Sequence, residues 1–221
     1  MEEFRKEPVT ILLIVLNILV FLAVEMTGSS QDVFHMLNCG ASYTPLVRDQ
    51  GETYRLFTSM FLHFGISHLA NNMLVLFVLG SRLERVTGKV RFLIIYLLGG
   101  LAGNILSMLM ELSSREYAVS AGASGAVFAV MGAMIYVVVR NRGWLEDLSM
   151  RQILVMAIFS LYFGLTSSGV DNAAHIGGLI GGLLISMALG VQKTEDKQSR
   201  INGIVVSVIY LVFLVYIVFF R

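Results

Sequence analysis

The sequence predicts an all-α polytopic membrane protein, and three observations support this prediction. Of the 221 residues, 56% are hydrophobic and only 14% are charged, whereas soluble domains are typically about 45 to 50% apolar. Lysine and arginine are unevenly distributed between the segments that separate the apolar stretches. A transmembrane helix needs about 20 mostly apolar residues. Seven stretches approach that length: 9–26, 67–81, 92–110, 120–139, 152–169, 172–191 and 203–220.

The charge distribution argues against a nucleic-acid partner. The net charge is +1 at pH 7 and the basic residues are scattered, so the chain has neither a nucleic-acid-binding patch nor a polybasic lipid-binding run. The lipid bilayer is the expected environment. The single cysteine, Cys39, cannot form an intrachain disulfide.

The first two predicted spans are not equally clear. We interpret stretch 9–26 as a retained span and not as a signal peptide. Stretch 67–81 reaches full length only if His68, Asn71 and Asn72 are helical. The outer segment between these spans contains a part, 56–64, that is too apolar for a solvated loop, and we expect it to dip into the outer leaflet.

The basic residues predict the orientation, because they accumulate on the cytoplasmic side of membranes. With the N-terminus inside, twelve of the sixteen lysine and arginine residues lie on the inner side. The exceptions are Arg48, Arg55, Arg115 and Arg221. The sequence therefore predicts a cytoplasmic N-terminus and an external C-terminus, with spans two, four and six all running inward.

Small residues recur every four positions in three spans, a pattern that lets helix backbones approach closely in lipid. Because Gly178 and Gly182 follow His175 by three and seven positions, they share its helical face. We expect the face that bears the histidine to pack tightly. The residues are Gly99, Gly103 and Ser107 in span three, Ala121, Gly125, Ala129 and Ala133 in span four, and Ala174, Gly178 and Gly182 in span six.

Ser124 and His175 are the candidate nucleophile and general base. Polar side chains inside a membrane are costly and usually functional, and a serine hydroxyl attacks when a neighbouring base takes its proton. Taken alone, a serine such as Ser124 is most often a small helix-packing residue, and His175 equally suits a relay, a ligand site or a hydrogen bond. Acyl transfer also needs donors to an oxyanion. His68 and Asn72, spaced i, i+4 on one face, and the backbone N–H of Ser124 are the candidates.

In this order and on these spans, the motifs resemble those of the rhomboid family of intramembrane serine proteases. The resemblance covers nearly the whole chain, although an aromatic-Arg pair with tyrosine replaces the family's more usual Trp-Arg. The motifs are Gly-x-Ser-Gly at 122–125, His-x-x-x-Asn at 68–72, Ala-His-x-Gly-Gly at 174–178, Tyr-Arg at 54–55, and Gly80 with Glu84.

The resemblance implies a Ser-His dyad without a carboxylate third member, with Ser124 as nucleophile and His175 as general base and acid. It implies an oxyanion site formed by His68, Asn72 and the backbone N–H of Ser124. Phe128, one turn after Ser124, would take the aromatic position that packs against the base. The implied substrates are transmembrane proteins, and the implied mechanism needs no metal or organic cofactor.

The resemblance also implies an architecture. A six-helix core would occupy about 9–191 and a seventh, C-terminal transmembrane helix about 203–220, in a single domain covering 1–221. A compact chain without a targeting extension is typical of the bacterial inner membrane. Glu84 and its neighbouring arginines are expected to form a solvated inner cluster, and the resemblance adds a structural role for Glu84.

Other readings of the same residues stay open. A small permease or channel would line its path with these polar groups, and a catalytically inactive relative would only hold transmembrane clients. Asp171 suits a helix N-cap better than a third member of a triad. A zinc site of His63, His68 and His175 lacks a pattern such as His-Glu-x-x-His. His63 and His35 are expected to be ordinary loop residues, with a part in shaping the cavity mouth as the alternative for His63.

Overall fold

The protein is almost entirely helical. A computed structural model describes residues 7–140, 151–153, 155, 158, 170–191 and 197–220, and no strand occurs in these ranges. The all-α prediction is therefore confirmed. The helices are α1 (Pro8–Thr27), α2 (Val33–Asn38), α3 (Thr44–Asp49), α4 (Arg55–Thr58), α5 (Gly65–Val75), α6 (Ser81–Thr87), α7 (Lys89–Ser114), α8 (Ser124–Arg140), α9 (Asn172–Ala188) and α10 (Lys197–Phe220).

Several helices are long and apolar enough to cross a membrane. In the part of the chain that the structure describes there are four of them: Pro8–Thr27, Gly65–Thr87, Lys89–Ser114 and Lys197–Tyr216. Two shorter apolar helices, α8 and α9, contain 17 residues each. The chain is thus an integral, multi-pass membrane protein.

Most of the predicted spans correspond to observed helices. Spans one, three, six and seven correspond to α1, α7, α9 and α10. The second span is helical through His68, Asn71 and Asn72, as its full length required, and a π-helical turn at Leu76–Gly80 joins α5 to α6 without interrupting it. The fifth predicted span, 152–169, lies largely outside the described residues.

The fourth span begins later than the sequence predicted, because the helix starts at Ser124 and not at residue 120. Ser120 instead pairs with Ser42 through two backbone hydrogen bonds of 2.9 Å. Gly122 has a φ of 151°, which lies outside the helical region and which glycine adopts without strain. Among residues 120–123 only Ala123 is buried, so the uncharged character of this stretch indicated neither a helix nor full burial.

Helices α8 and α9 pack backbone to backbone. A Cβ on Gly178 would overlap the carbonyl oxygen of Gly125, and a Cβ on Gly182 would overlap that of Ala129. The second contact lies four residues after the first on each helix. Helices α8 and α9 therefore run in parallel and begin at the same end. The predicted tight packing of the histidine-bearing face is confirmed.

Helix α7 completes a three-helix core with α8 and α9. It runs antiparallel to α9, since Gly103 lies against Ala174 while Gly99 lies against Gly182. The sites where α7 approaches the other two helices are again small residues, as lipid-embedded packing favours. Helix α10 packs on the outside of α9 and α7.

The outer segment between α1 and α5 folds against the core instead of extending into solvent. Arg55 is 7% exposed, and its Nη1 donates to the carbonyl oxygens of Leu37 (2.6 Å) and Ala41 (3.0 Å). Its Nε donates to Glu52 over 2.5 Å. This bond holds the pKa of the Glu52 carboxyl below its ordinary value. The arginine of the Tyr-Arg motif therefore fixes the conformation of this segment.

Glu84 is not part of a solvated cluster, contrary to our expectation. It is 2% exposed and accepts hydrogen bonds from the backbone N–H groups of Val9 (3.0 Å) and Thr10 (2.7 Å) and from the Thr10 hydroxyl (2.7 Å). The first N–H groups of a helix have no partner within the helix. Glu84 therefore caps α1 from α6, which gives it the structural role that the resemblance implied.

Gly182→Ala tests the backbone contact between α8 and α9. The new Cβ would overlap a carbonyl group of α8, and no rotamer change relieves an overlap with backbone. We expect a loss of about 1 to 3 kcal/mol in the free energy of unfolding, measured as a lower midpoint of thermal unfolding in detergent.

Gly125→Ala is the matched control for this prediction. Its Cβ would meet its nearest neighbour, the carbonyl oxygen of Ala174, at 3.5 Å, which is an ordinary contact distance. Alanine is also favoured over glycine in helices by about 1 kcal/mol. Equal destabilisation by both substitutions would show that the contact does not limit helix approach.

Candidate active site

The residues that precede Ser124 are held by hydrogen bonds from the outer segment. The N–H of Gly122 donates to the carbonyl oxygen of Ser59 (2.9 Å), and the N–H of Ala123 donates to Nε2 of His63 (3.3 Å). Helix α8 begins at the next residue, Ser124. The backbone N–H of Ser124 therefore lies at a helix start, where amides lack intrahelical acceptors.

Gly122 allows the ring of His68 to approach Ser124. A Cβ on Gly122 would lie 2.8 Å from Cε1 and 3.0 Å from Nε2 of His68, and 3.7 Å from Oγ of Ser124. The imidazole and the hydroxyl therefore border the same small space. Any residue other than glycine at this position would fill that space.

Asn72 lies one turn after His68 on α5, as their spacing predicted. The side chain is buried, and its Nδ2 donates to the carbonyl oxygen of His68 over 3.0 Å. An amide nitrogen carries two hydrogens, so this bond leaves a second donor. Helix α5 packs against α8, which brings this turn of α5 to the start of the serine-bearing helix.

His175 lies in the first turn of α9 and is 6% exposed. Its ring stacks on Phe128, with the ring centroids 4.2 Å apart and an interplanar angle of 9°. Phe128 is one turn after Ser124 on α8, so the imidazole lies alongside the first turns of the serine-bearing helix. The predicted aromatic contact of the histidine is confirmed.

Asp171 is the N-cap of α9, as the sequence indicated. Its Oδ1 accepts from the N–H of Ala174 (2.9 Å), and its Oδ2 accepts from the hydroxyls of Ser107 (2.6 Å) and Ser120 (3.0 Å). Nδ1 of His175 is buried and has no hydrogen-bond partner within the described ranges. The carboxylate thus binds the helix end and its neighbours, and it does not form a triad.

His63 contributes more than the sequence suggested. It lies in a loop, as we expected, but the side chain is 1% exposed and its ring meets that of His68 edge to face, with centroids 5.1 Å apart at 72°. Because Nε2 accepts from the Ala123 N–H, the neutral ring carries its hydrogen on Nδ1. The sequence signal for this buried role was the presence of a histidine inside the apolar stretch 56–64.

The site therefore gathers a hydroxyl, imidazoles and an amide at one end of α5, α8 and α9. This set can accept and return a proton and can donate hydrogen bonds to an oxyanion. No group of three His, Cys, Asp or Glu residues among those described is arranged to hold a metal ion. The catalytic roles of Ser124, His175, His68 and Asn72 stay predictions.

Comparisons with known proteins cover most of the chain. The family model of the Rhomboid domain matches residues 50–192. Rhomboid protease GluP of Bacillus subtilis (strain 168) is 40% identical over 203 residues, which are 92% of this chain and 39% of that protein. RHOMBOID-like protein 7 of Arabidopsis thaliana is 37% identical over 161 residues, which are 71% of this chain and 50% of that protein. The chain thus spans half or less of either relative.

His63→Phe tests the contact between the outer segment and the residue before Ser124. The variant keeps a ring but removes the acceptor of the buried Ala123 N–H, and an unpaired buried donor costs about 1 to 3 kcal/mol. We expect a corresponding loss in the free energy of unfolding, measured in detergent. His63→Gln, whose amide oxygen accepts, is expected to recover part of the loss. Wild-type stability of the phenylalanine variant would contradict the role of this bond.

Proposed function

The chain belongs to the rhomboid family, and from that membership we propose that it is an intramembrane serine endopeptidase with Ser124 as nucleophile and His175 as general base. The observation that carries the assignment is the stacking of His175 on Phe128, one helical turn from Ser124. An imidazole held in this position is suited to take the hydroxyl proton.

The proposed reaction proceeds through an acyl-enzyme. Ser124 Oγ attacks the carbonyl carbon of the scissile peptide bond while His175 takes the hydroxyl proton. The tetrahedral oxyanion accepts hydrogen bonds from His68, Asn72 and the Ser124 N–H. Collapse breaks the C–N bond, and His175 protonates the leaving amine. A water molecule, deprotonated by His175, then hydrolyses the ester and restores the serine.

The length of α9 supports cleavage below the membrane surface. Helix α9 contains 17 residues, which corresponds to about 26 Å, against about 30 Å for the hydrocarbon core. With its far end near the opposite boundary, α9 begins inside the bilayer, and α8 begins beside it. Ser124 is only partly buried, so water and substrate reach it from that end.

The substrates that this site would take are transmembrane helices of other proteins. A peptide bond in a regular helix is shielded by its own hydrogen bonding, so the segment must unwind before Ser124 can attack. Glycine and other helix-weakening residues near the cleaved bond lower the cost of unwinding by up to about 1 kcal/mol each. We expect cleavage at such positions.

The interior of α8 argues against a permeation path. After Ser124, the helix continues with buried apolar side chains, among them Val127, Val130 and Met134. A conducting path would need polar groups or a wide lumen along this helix. A polar chamber that is closed at its inner end is suited to catalysis.

The proposed topology follows from the distribution of basic residues. The N-terminus is cytoplasmic and the C-terminus external, so the site opens to the outer side. The chain would act as a single domain in a bacterial inner membrane, with six spans forming the core and α10 as the additional span.

Substitution of the proposed nucleophile is the direct test. Ser124→Ala is expected to abolish cleavage of a membrane-anchored reporter and labelling by a fluorophosphonate probe, because no other oxygen replaces Oγ. His175→Ala is expected to lower both by at least about 10³-fold. Ser113→Ala, which removes an exposed hydroxyl of α7, is the control. Undiminished cleavage by the Ser124 or His175 variant refutes the proposal.

Each oxyanion donor is expected to supply only part of the stabilisation of the oxyanion, independently of the others. His68→Ala and Asn72→Ala each remove one donor among several, so kcat should fall by about 10- to 10³-fold without complete loss. Asn71→Ala is the matched control, since Asn71 is exposed on another face of α5. If Asn72→Ala matches Asn71→Ala in steady-state assays, Asn72 is not an oxyanion donor.

A further inference from the structure

Asp171 connects three elements that meet beside the proposed dyad. Its Oδ1 caps α9, the helix that bears His175, whereas its Oδ2 accepts from one hydroxyl on α7 and from another on the segment that leads into α8. These donors are Ser107 and Ser120. Neither the serine pair nor the bridge formed by Oδ2 was anticipated by the capping pattern in the sequence.

His175 lies four residues after Asp171, and Ser124 lies four residues after Ser120, whose hydroxyl donates to the Asp171 carboxylate. The N–H of His175 donates to the backbone carbonyl oxygen of Asp171 over 3.2 Å. The backbone N–H and C=O of Ser120 are both hydrogen-bonded to the backbone of Ser42. The segment that bears the base is thus connected to the segment that bears the nucleophile by the hydrogen bond between the Asp171 carboxylate and the Ser120 hydroxyl.

We propose that Asp171 is a positioning residue, which sets the axial register of α9 against the segment that enters α8 and thereby aligns His175 with Ser124. The proposal rests on the proposed function of this site. It assigns no contact with substrate to Asp171.

The reason lies in the different character of the two kinds of contact between these helices. The glycine and alanine contacts of α8 and α9 bring the backbones close, but van der Waals contacts between small groups have little directional preference. Hydrogen bonds to a carboxylate are directional and about twice as strong as neutral ones. A bridge with two such bonds at the outer helix ends therefore fixes the relative height of the reacting groups.

Catalysis is sensitive to such a register. A displacement of about 1 Å between reacting groups can lower a rate by about 10²-fold. Since Oδ1 and Oδ2 serve different donors, the cap and the bridge can be removed separately. Ser107→Ala with Ser120→Ala removes the bridge and leaves the cap, whereas Asp171→Ala removes both.

The experiment measures the rate constant of fluorophosphonate labelling together with kcat and KM for a transmembrane peptide, well below the unfolding midpoint of each variant. We expect Asp171→Ala and the double serine variant each to lower the labelling rate and kcat by about 10- to 10²-fold, with KM changed much less. The triple variant should be no slower than Asp171→Ala, because the effects share one interaction.

Asp32→Ala is the matched control. Asp32 caps α2 by accepting from the N–H of His35 over 3.0 Å, in a helix that carries no residue of the dyad. It should lower the midpoint of thermal unfolding as a lost cap does, with an unchanged labelling rate. The double serine variant retains the cap of α9. Its labelling rate therefore tests the Oδ2 bridge even if Asp171→Ala does not fold.

The inference is overturned if the double serine variant is labelled and turns over at the wild-type rate. It is also overturned if the effects of the serine and aspartate substitutions multiply in the triple variant. In both cases an active, labelled wild-type protein leaves the proposed function intact. A wild-type protein that is neither labelled nor cleaves the peptide refutes the proposed function and this inference with it.

Discussion

Helices α8 and α9 touch along their backbones, and the arrangement of the site depends on this contact. In lipid, apolar side chains gain nothing by leaving one apolar environment for another, so helices associate through close packing. Glycine at positions 178 and 182 removes the side chains that would hold the helices apart. Because the helices are parallel, their first turns meet, and these turns contain Ser124 and His175.

A second constraint is that the hydrocarbon of a membrane offers no water to buried polar groups, so backbone amides at helix ends need partners within the protein. Glu84 satisfies the first amides of α1, His63 satisfies the amide of Ala123, and Asp171 satisfies the amide of Ala174 in the first turn of α9. Each of these bonds joins or orders segments near a helix end. Polar residues therefore supply the fixed geometry that the apolar packing alone leaves loosely defined.

The sequence predicted the part of the site that depends on local spacing. Asn72 follows His68 by one turn, and Phe128 follows Ser124 by one turn, so a helix places each pair on one face. Asp171 was recognisable as a cap from its position before an apolar run. By contrast, the start of α8 was predicted four residues too early, because residues 120–123 form bonds with Ser42 and Ser59, which are distant in the chain.

What the sequence by itself determined is the membrane location, the helical class and the family, since apolar length and motif order are properties of the chain that need no knowledge of contacts. Only the tertiary structure decided that Glu84 is buried, that His63 holds the amide before Ser124, and that Asp171 bridges α7 to the entry of α8. The physical reason is that a hydrogen bond between segments far apart in the chain depends on where the folded helices lie. The periodicity of residue types in the sequence shows which residues share a helix face. Which distant residue bonds to that face is determined by how the helices pack.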